Sequence, residues 1–308
     1  MDKLINAFVL GAGLGTRLRP LTEKTPKPLI PICQKPLITF AFDRLIDAGI
    51  TRLVVNTHPS PEAYSLEFPE SSYRGTPIHF RHEQVLLETA GGIKNVEDLL
   101  RGEPFVVYNG DILSDLPVKE AIRRHFAQGN EVTMVLRSAG GPLQVALDER
   151  AGRVIDIGGH LTGRAGKYLF TGIYIIDPAF FSRIPPGTKI SVIPIFLEMI
   201  RGGGKLGGIV LDEGDWWDLG TREQYLAVHQ RLAAAGKTGW VHPSAQIGAG
   251  ARIEGATVIG AGSEVGAGAA LKNCILWKGA KIASGSLLER CIVTSGKEAQ
   301  GVHTDADF

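Results

Sequence analysis

From about residue 240 onward this chain obeys a six-residue rule, and that rule restricts its fold more than any other feature. Apolar residues stand at Val241, Ile247, Ile253, Ile259, Val265 and Leu271, with small residues filling most of the gaps. A period of six with one apolar corner is the pattern of a parallel β-helix, three short faces to the coil. Glycine and alanine suit its tight corners, which need φ > 0 or minimal side chains. A longer repeat overlies the first. Ala256-Thr257-Val258-Ile259, Asn273-Cys274-Ile275-Leu276 and Arg290-Cys291-Ile292-Val293 recur 17 residues apart. One coil cannot bury its own face, so about three stacked coils are the least expected, and the sequence supplies about that many. A disordered Gly/Ala-rich tail would lack this spacing. Residues 233–239, Ala-Ala-Ala-Gly-Lys-Thr-Gly, read as the linker ahead of the coils.

A different texture precedes the linker. Strand-like runs at 7–10, 52–55, 105–108 and 131–136 alternate with helical stretches at 36–48 and 118–126. In the first helix Leu37, Phe40, Phe42, Leu45 and Ile46 carry the apolar spacing. Strands alternating with helices imply βαβ units, so the expected fold class is α/β, a doubly wound and mostly parallel sheet. Segments 143–157 and 168–176 look like strands added outside that rhythm.

Composition narrows the function. With 44% hydrophobic residues in 308, the chain can bury a sizeable core. A net charge of +1 gives no global field to draw it to nucleic acid or an anionic membrane. The opening six residues hold no long apolar region, and no run reaches the roughly 18 apolar residues that span a bilayer. Three cysteines, Cys33, Cys274 and Cys291, lack the paired spacing of a disulfide framework or zinc site. A reduced, cytoplasmic protein is the expectation.

Chemistry-bearing residues gather after the first strand. Leu10-Gly11-Ala12-Gly13-Leu14-Gly15-Thr16-Arg17 is a glycine-rich loop running into arginine. Closely spaced glycines let backbone N–H groups approach phosphate oxygens. The dinucleotide-binding pattern would need glycine at Thr16 or Leu18, and a Walker loop would need lysine where Thr16-Arg17 stands. A tight strand-to-helix turn without ligand is the other use of such glycines. Pro26-Lys27-Pro28-Leu29 follows closely.

Together these segments resemble the sugar-1-phosphate nucleotidylyltransferases, marked by L-x-x-G-x-G-T-R-L-x-P-L-T followed by P-K-P-L. Every fixed position is present. Further likenesses follow in order: Leu87-Glu88-Thr89-Ala90-Gly91-Gly92-Ile93, Asn109-Gly110-Asp111, Thr171-Gly172-Ile173-Tyr174 and Trp217-Asp218-Leu219-Gly220-Thr221. The likeness covers residues 5 to about 232, and the family's appended left-handed β-helix accounts for most of the rest. It implies a catalytic domain over 1–235 and a hexapeptide-repeat domain with tail over 236–308.

The resemblance also implies roles. Leu10, Gly11, Ala12, Gly13, Gly15 and Thr16 would wrap the nucleotide, with Glu88, Thr89, Ala90, Gly91, Asn109 and Gly110. Arg17 would grip the triphosphate with its planar fork, and Lys27 would set a compact charge on the phosphates. Asp111 would be both catalytic and a Mg²⁺ ligand, with Asp218 the second ligand. Helix capping is the alternative use of each aspartate. Thr171 and Gly172 would meet the sugar hydroxyls, although the glycine also suits strand packing. The partners implied are a nucleoside triphosphate, UTP or GTP, and a sugar 1-phosphate. The sugar phosphate's own oxygen would attack the α-phosphorus, so positioning and charge neutralisation suffice. His58, His79, His82 and His125 are scattered, and no nucleophile elbow appears.

Two departures concern the substrate. The Glu88-Thr89-Ala90-Gly91-Gly92 variant is similar to the branch holding N-acetylmuramate-1-phosphate uridylyltransferases and some mannose- or heptose-1-phosphate guanylyltransferases. The Glu-Lys-Pro that would supply a sugar-phosphate lysine is missing, leaving Arg164, Lys167 and Lys189 as unranked substitutes. Other readings are an inactive regulatory or scaffold homologue that binds nucleotide sugar, and an acyltransferase, for which His242 and His303 lie poorly placed. The coils are expected to serve homo-oligomerisation and to be dispensable for the chemical step.

Overall fold

The computed structural model describes residues 4–236 and 240–308. They form two compact units: the chain up to Leu14 with Ile38–Asp218, and Gly15–Leu37 with Leu219–Phe308.

The first unit is built on a ten-stranded sheet. At its centre Phe105–Asn109, Asn6–Leu10, Arg52–Thr57 and Thr76–His82 lie side by side and parallel. Leu169–Ile176 runs antiparallel to both of its neighbours, Phe105–Asn109 and Val132–Arg137. Leu206–Val210 returns parallel to Val132–Arg137. A hairpin of Val145–Asp148 and Arg153–Ile157 finishes that end of the sheet, where the sequence suggested added strands. Strands buried on both faces read as unbroken apolar runs. Phe105, Val106, Val107 and Tyr108 are each fully buried.

The helix Ile38–Asp47 turns Ile38, Ala41, Phe42 and Leu45 inward, a stripe set by the 3.6-residue repeat. Burying a side chain such as Phe42 stabilises the fold by about 2 kcal/mol relative to leaving it in water. Phe40 and Ile46, counted with that stripe in the sequence, are only half-buried. Among the described residues no helix is long and apolar enough to cross a membrane.

The second unit contains the parallel β-helix. Its three ladders include Gln246–Ile247 on Glu264–Val265, Arg252–Glu254 on Ala270–Lys272, and Val258–Ile259 on Ile275–Leu276. The 17-residue repeat is the coil itself: Val258 pairs with Ile275, and Ile275 with Ile292. One corner is shortened by a residue in the left-handed conformation, Asn273 at φ 53° and Arg290 at φ 51°. The coil above has Gly255 there, at φ 64°. A Cβ at Gly255 would lie 2.3 Å from Asn273 Oδ1, which accepts the Ala256 N–H at 3.0 Å.

Ile259, Leu276 and Val293 form one buried interior column, and Val265, Ile282 and Ala299 another. The six-residue rule continues upward to Val241 and Ile247, yet these are 43% and 42% exposed. They belong to the first coil, where the interior stack begins. The Val258, Ile275, Ile292 ladder is also buried on its outer side. Thr221 caps the helix Arg222–Ala234 in a reciprocal box with Gln224. Ala233 and Ala234, read from sequence as linker, are its last turn; residues 237–239 of that linker lie outside the described residues. None of Cys33, Cys274 and Cys291 is in a disulfide.

Candidate active site

The glycine-rich loop leaves the first strand at Leu10, and its opening is tied down by buried polar side chains. Asn56, at the end of the neighbouring strand, accepts the Gly11 and Ala12 N–H groups on Oδ1 at 2.9 and 3.4 Å. Tyr64 donates its hydroxyl to the Gly11 carbonyl at 2.7 Å. Gly11 needs its missing side chain, because a Cβ would stand 2.6 Å from the Asn56 carbonyl. The Gly13 N–H reaches the His58 carbonyl at 3.4 Å. The amides of Gly11 and Ala12, expected to face the nucleotide, are thus turned to Asn56.

Asn56 extends the arrangement to a second motif. Its Nδ2 donates to Glu83 Oε1 at 2.7 Å, and Glu83 Oε2 accepts the Leu87 N–H at 2.9 Å. Asn56 and Glu83 are 1% and 2% exposed. Buried polar groups need such partners, since an unmade bond there costs the full desolvation penalty. Neither residue was singled out from sequence. Their only signal is a polar residue closing an apolar run, at Val54-Val55-Asn56.

Leu87 opens the helix Glu88–Asn95. Glu88 adopts φ 61°, an uncommon conformation for a residue other than glycine. Thr89 Oγ1 accepts the Val192 N–H at 2.7 Å, and the N–H groups of Ala90 and Gly91 meet the Ile190 carbonyl. Gly91 packs so closely that a Cβ would lie 2.4 Å from the Thr188 carbonyl oxygen. These contacts bring Lys189 beside the motif, with Nζ 3.9 Å from Glu88 Oε1.

A small two-stranded sheet brings the segments of Asp111 and Asp218 together. Trp216–Asp218 pairs antiparallel with Ile112–Ser114, Asp218 lying opposite Ile112. The two aspartates therefore stand one register position apart. Neither caps a helix: Asp111 leads into a strand, and Thr221 supplies the cap after Asp218. Asp111 also makes its charge felt near the loop. Burial and then this carboxylate push the Tyr64 hydroxyl well above its ordinary pKa. Gly110 fits beneath, its N–H on the Leu10 carbonyl at 2.9 Å.

Across the sheet, the pairing of Leu169–Ile176 with Val132–Arg137 shifts register between Phe170 and Tyr174. Such bulges re-aim side chains. Gly172 sits there at φ 77°, against Asn109. Thr171 is fully buried, and its hydroxyl donates to the Val135 carbonyl at 2.8 Å. That hydroxyl is engaged with the sheet.

The remaining expected residues lie in the second unit. Gly15 begins the turn Thr16–Leu18 at φ 57°, with Thr22 donating to its carbonyl at 2.7 Å. A Cβ on Gly15 would lie 3.2 Å from Lys27 Cβ, so the loop end and Lys27 are neighbours. Lys27 opens the single turn Lys27–Leu29 and is 7% exposed. Gly220 lies under Arg17: a Cβ there would stand 2.6 Å from the guanidinium. The glycine of Asp218-Leu219-Gly220 thus makes room for the arginine.

Comparison with known proteins identifies the family. The family model described as Nucleotidyl transferase matches residues 6–235, and that described as GMPPB C-terminal domain matches 236–302. Mannose-1-phosphate guanylyltransferase of Mycobacterium tuberculosis is 32% identical over 288 residues, 89% of this chain and 80% of that protein. Probable mannose-1-phosphate guanylyltransferase 3 of Oryza sativa is 31% identical, covering 89% and 81%. The catalytic subunit beta of the Dictyostelium discoideum mannose-1-phosphate guanylyltransferase is 32% identical over 72% of this chain and 63% of its own length. On these matches the chain belongs to the sugar-1-phosphate nucleotidylyltransferases.

Proposed function

We propose that this enzyme transfers a guanylyl group from GTP to a hexose 1-phosphate, mannose 1-phosphate first among candidates, releasing pyrophosphate. The observation carrying this reading is relatedness across four fifths of a mannose-1-phosphate guanylyltransferase, joined to the paired aspartates. UTP is the second candidate, on the strength of the Glu88–Gly92 variant.

Asp111 and Asp218 are the proposed ligands of a divalent cation, Mg²⁺. The donor set fits by its chemistry: carboxylate oxygens suit a hard cation that takes one or two carboxylates and substrate oxygens. Such an ion supplies positive charge to the triphosphate. Arg17 holds the phosphates through paired N–H donors and Lys27 neutralises them as a compact charge. A sugar-phosphate oxygen forms the new bond to the α-phosphorus as the bond to the bridging oxygen breaks, and that electron pair leaves on pyrophosphate. Asn109 and Gly172 shape the sugar side. Lys189, beside Glu88, is the favoured substitute for the missing sugar-phosphate lysine. Residues 1–235 form the proposed catalytic domain and 236–308 an accessory one, acting in the cytoplasm as a homo-oligomer.

A pyrophosphate-release screen of four NTPs against a panel of sugar 1-phosphates tests the reading. GTP with mannose 1-phosphate should give the highest kcat/KM. Preference for UTP with N-acetylmuramate 1-phosphate would move the enzyme to the uridylyl branch, and no turnover with any pair would favour the scaffold alternative.

A further inference from the structure

The second unit contains a buried hydrogen-bonded line from the β-helix to the segment carrying Lys27. Trp277, in the coils, donates its Nε1–H to the Tyr225 hydroxyl at 3.0 Å. Tyr225 in turn donates to the Pro31 carbonyl at 2.6 Å. One turn along the same helix, His229 takes the Cys33 N–H on Nε2 at 3.3 Å, while its Nδ1 bonds the Tyr225 carbonyl at 2.8 Å. Trp277, Tyr225 and His229 are 3%, 0% and 1% exposed. Water therefore does not compete for these bonds, and each lost partner leaves an unsatisfied buried group.

Protonation states are consistent with the directions of the bonds. Burial pushes the Tyr225 phenol far up, keeping its proton available to Pro31. Burial also pushes His229 down to about 4, so the ring is neutral, with Nδ1 donating and Nε2 accepting. Both anchors fall on one short hairpin, in which Pro31 pairs with Pro36 and Ile32 with Lys35. The connection from Pro31 back to Lys27 is stiff. The Ile30 N–H closes on the Lys27 carbonyl at 3.2 Å, the first helical position is followed by Pro28, and Leu29 and Ile30 are buried.

We propose that Trp277, Tyr225 and His229 are positioning residues, a relay through which the β-helix sets the Lys27 turn and its grip on the phosphates. The proposal rests on reading Lys27 as a phosphate-binding residue. It revises the expectation that the coils are dispensable, because removing Trp277 strips the Tyr225 hydroxyl of its donor.

The test uses the full chain and magnesium pyrophosphate, a probe that carries no base or sugar, titrated by calorimetry. Tyr225→Phe keeps the ring and removes the polar link; Trp277→Phe keeps an aromatic side chain there without the N–H donor. Each should weaken binding by about 3- to 10-fold, the effect of one buried hydrogen bond. In a Lys27→Ala background the same changes should add little, since residues acting through one group are not additive. Unchanged binding in both ring variants, with Lys27→Ala weakened, would overturn the relay alone. Losses that multiply in the double variants would also overturn it, as generalised destabilisation. Wild-type binding by Lys27→Ala would overturn the phosphate reading and the relay together. Should Trp277→Phe fail to fold, Tyr225→Phe decides.

Discussion

The sheet of the first unit and the coils of the second solve the same problem, burying apolar strands, with opposite use of polar side chains. In the sheet, polar residues at strand ends go inward. Asn56 and Glu83 are almost fully buried and organise two loops that carry candidate ligand contacts. Along the coils, charged residues stay on the outer faces, where Lys281 meets Glu264 and Lys272 meets Glu289 with about half of most of these side chains exposed. Chemistry requires fixed dipoles held away from water, whereas a repeat needs only columns that stack. The difference suggests where substitutions should damage catalysis, folding or neither.

The largest effect is expected at Asp111. Asp111→Asn keeps the shape of the side chain and removes one ligand charge, so kcat should fall by about 100-fold or more. The melting temperature should stay near wild type, because the residue caps no helix. Turnover measured across a magnesium titration checks this. Wild-type kcat at limiting magnesium would remove Asp111 from the site.

Legibility in the sequence divides along the same line. The coils were readable to the residue, because one interior column, Ile259, Leu276 and Val293, simply repeats. The first strand, the Ile38–Asp47 helix and the phosphate-loop motif were likewise visible, as local pattern. Strand order was not, since pairing Leu169–Ile176 between Phe105–Asn109 and Val132–Arg137 depends on contacts far apart in sequence. The Asn56–Glu83 bridge was hidden for the same reason: its partners are 27 residues apart and neither belongs to a motif. Thr171 shows the converse. Its motif was legible, but only the fold reveals that the hydroxyl faces Val135. Arg17 and Lys27 stand in legible local motifs, while Gly220's place beneath Arg17 needed three dimensions.

A paired substitution sharpens the comparison at intermediate size. Asn56→Ala leaves Glu83 Oε1 without its donor and two loop amides without their acceptor, at a cost of about 3 kcal/mol. Asn273→Ala in the coils loses one acceptor and places alanine in a left-handed corner, costing about 1–2 kcal/mol. Urea unfolding of both variants should show the first lowering stability more, and only the first reducing GTP turnover strongly. Equal losses of stability and activity would mean that polar groups in the two regions are not used differently.

The smallest effect is expected on the outer face of the coils. Lys281 Nζ lies 2.9 Å from Glu264 Oε1, a good ion pair by distance, and Glu264 holds the lysine's proton more tightly than usual. Both side chains are about half exposed, however, so water and salt screen the attraction and each long chain loses rotamer freedom in making it. Exposed pairs of this kind contribute little to stability. Lys281→Gln should therefore shift the melting temperature by no more than about 1 °C, at low salt or high. Light scattering should show the same assembly size, since one rung leaves the other charges of the face in place. A drop in melting temperature as large as that of Asn273→Ala would show that the outer charges, and not only the interior columns, hold the coils together.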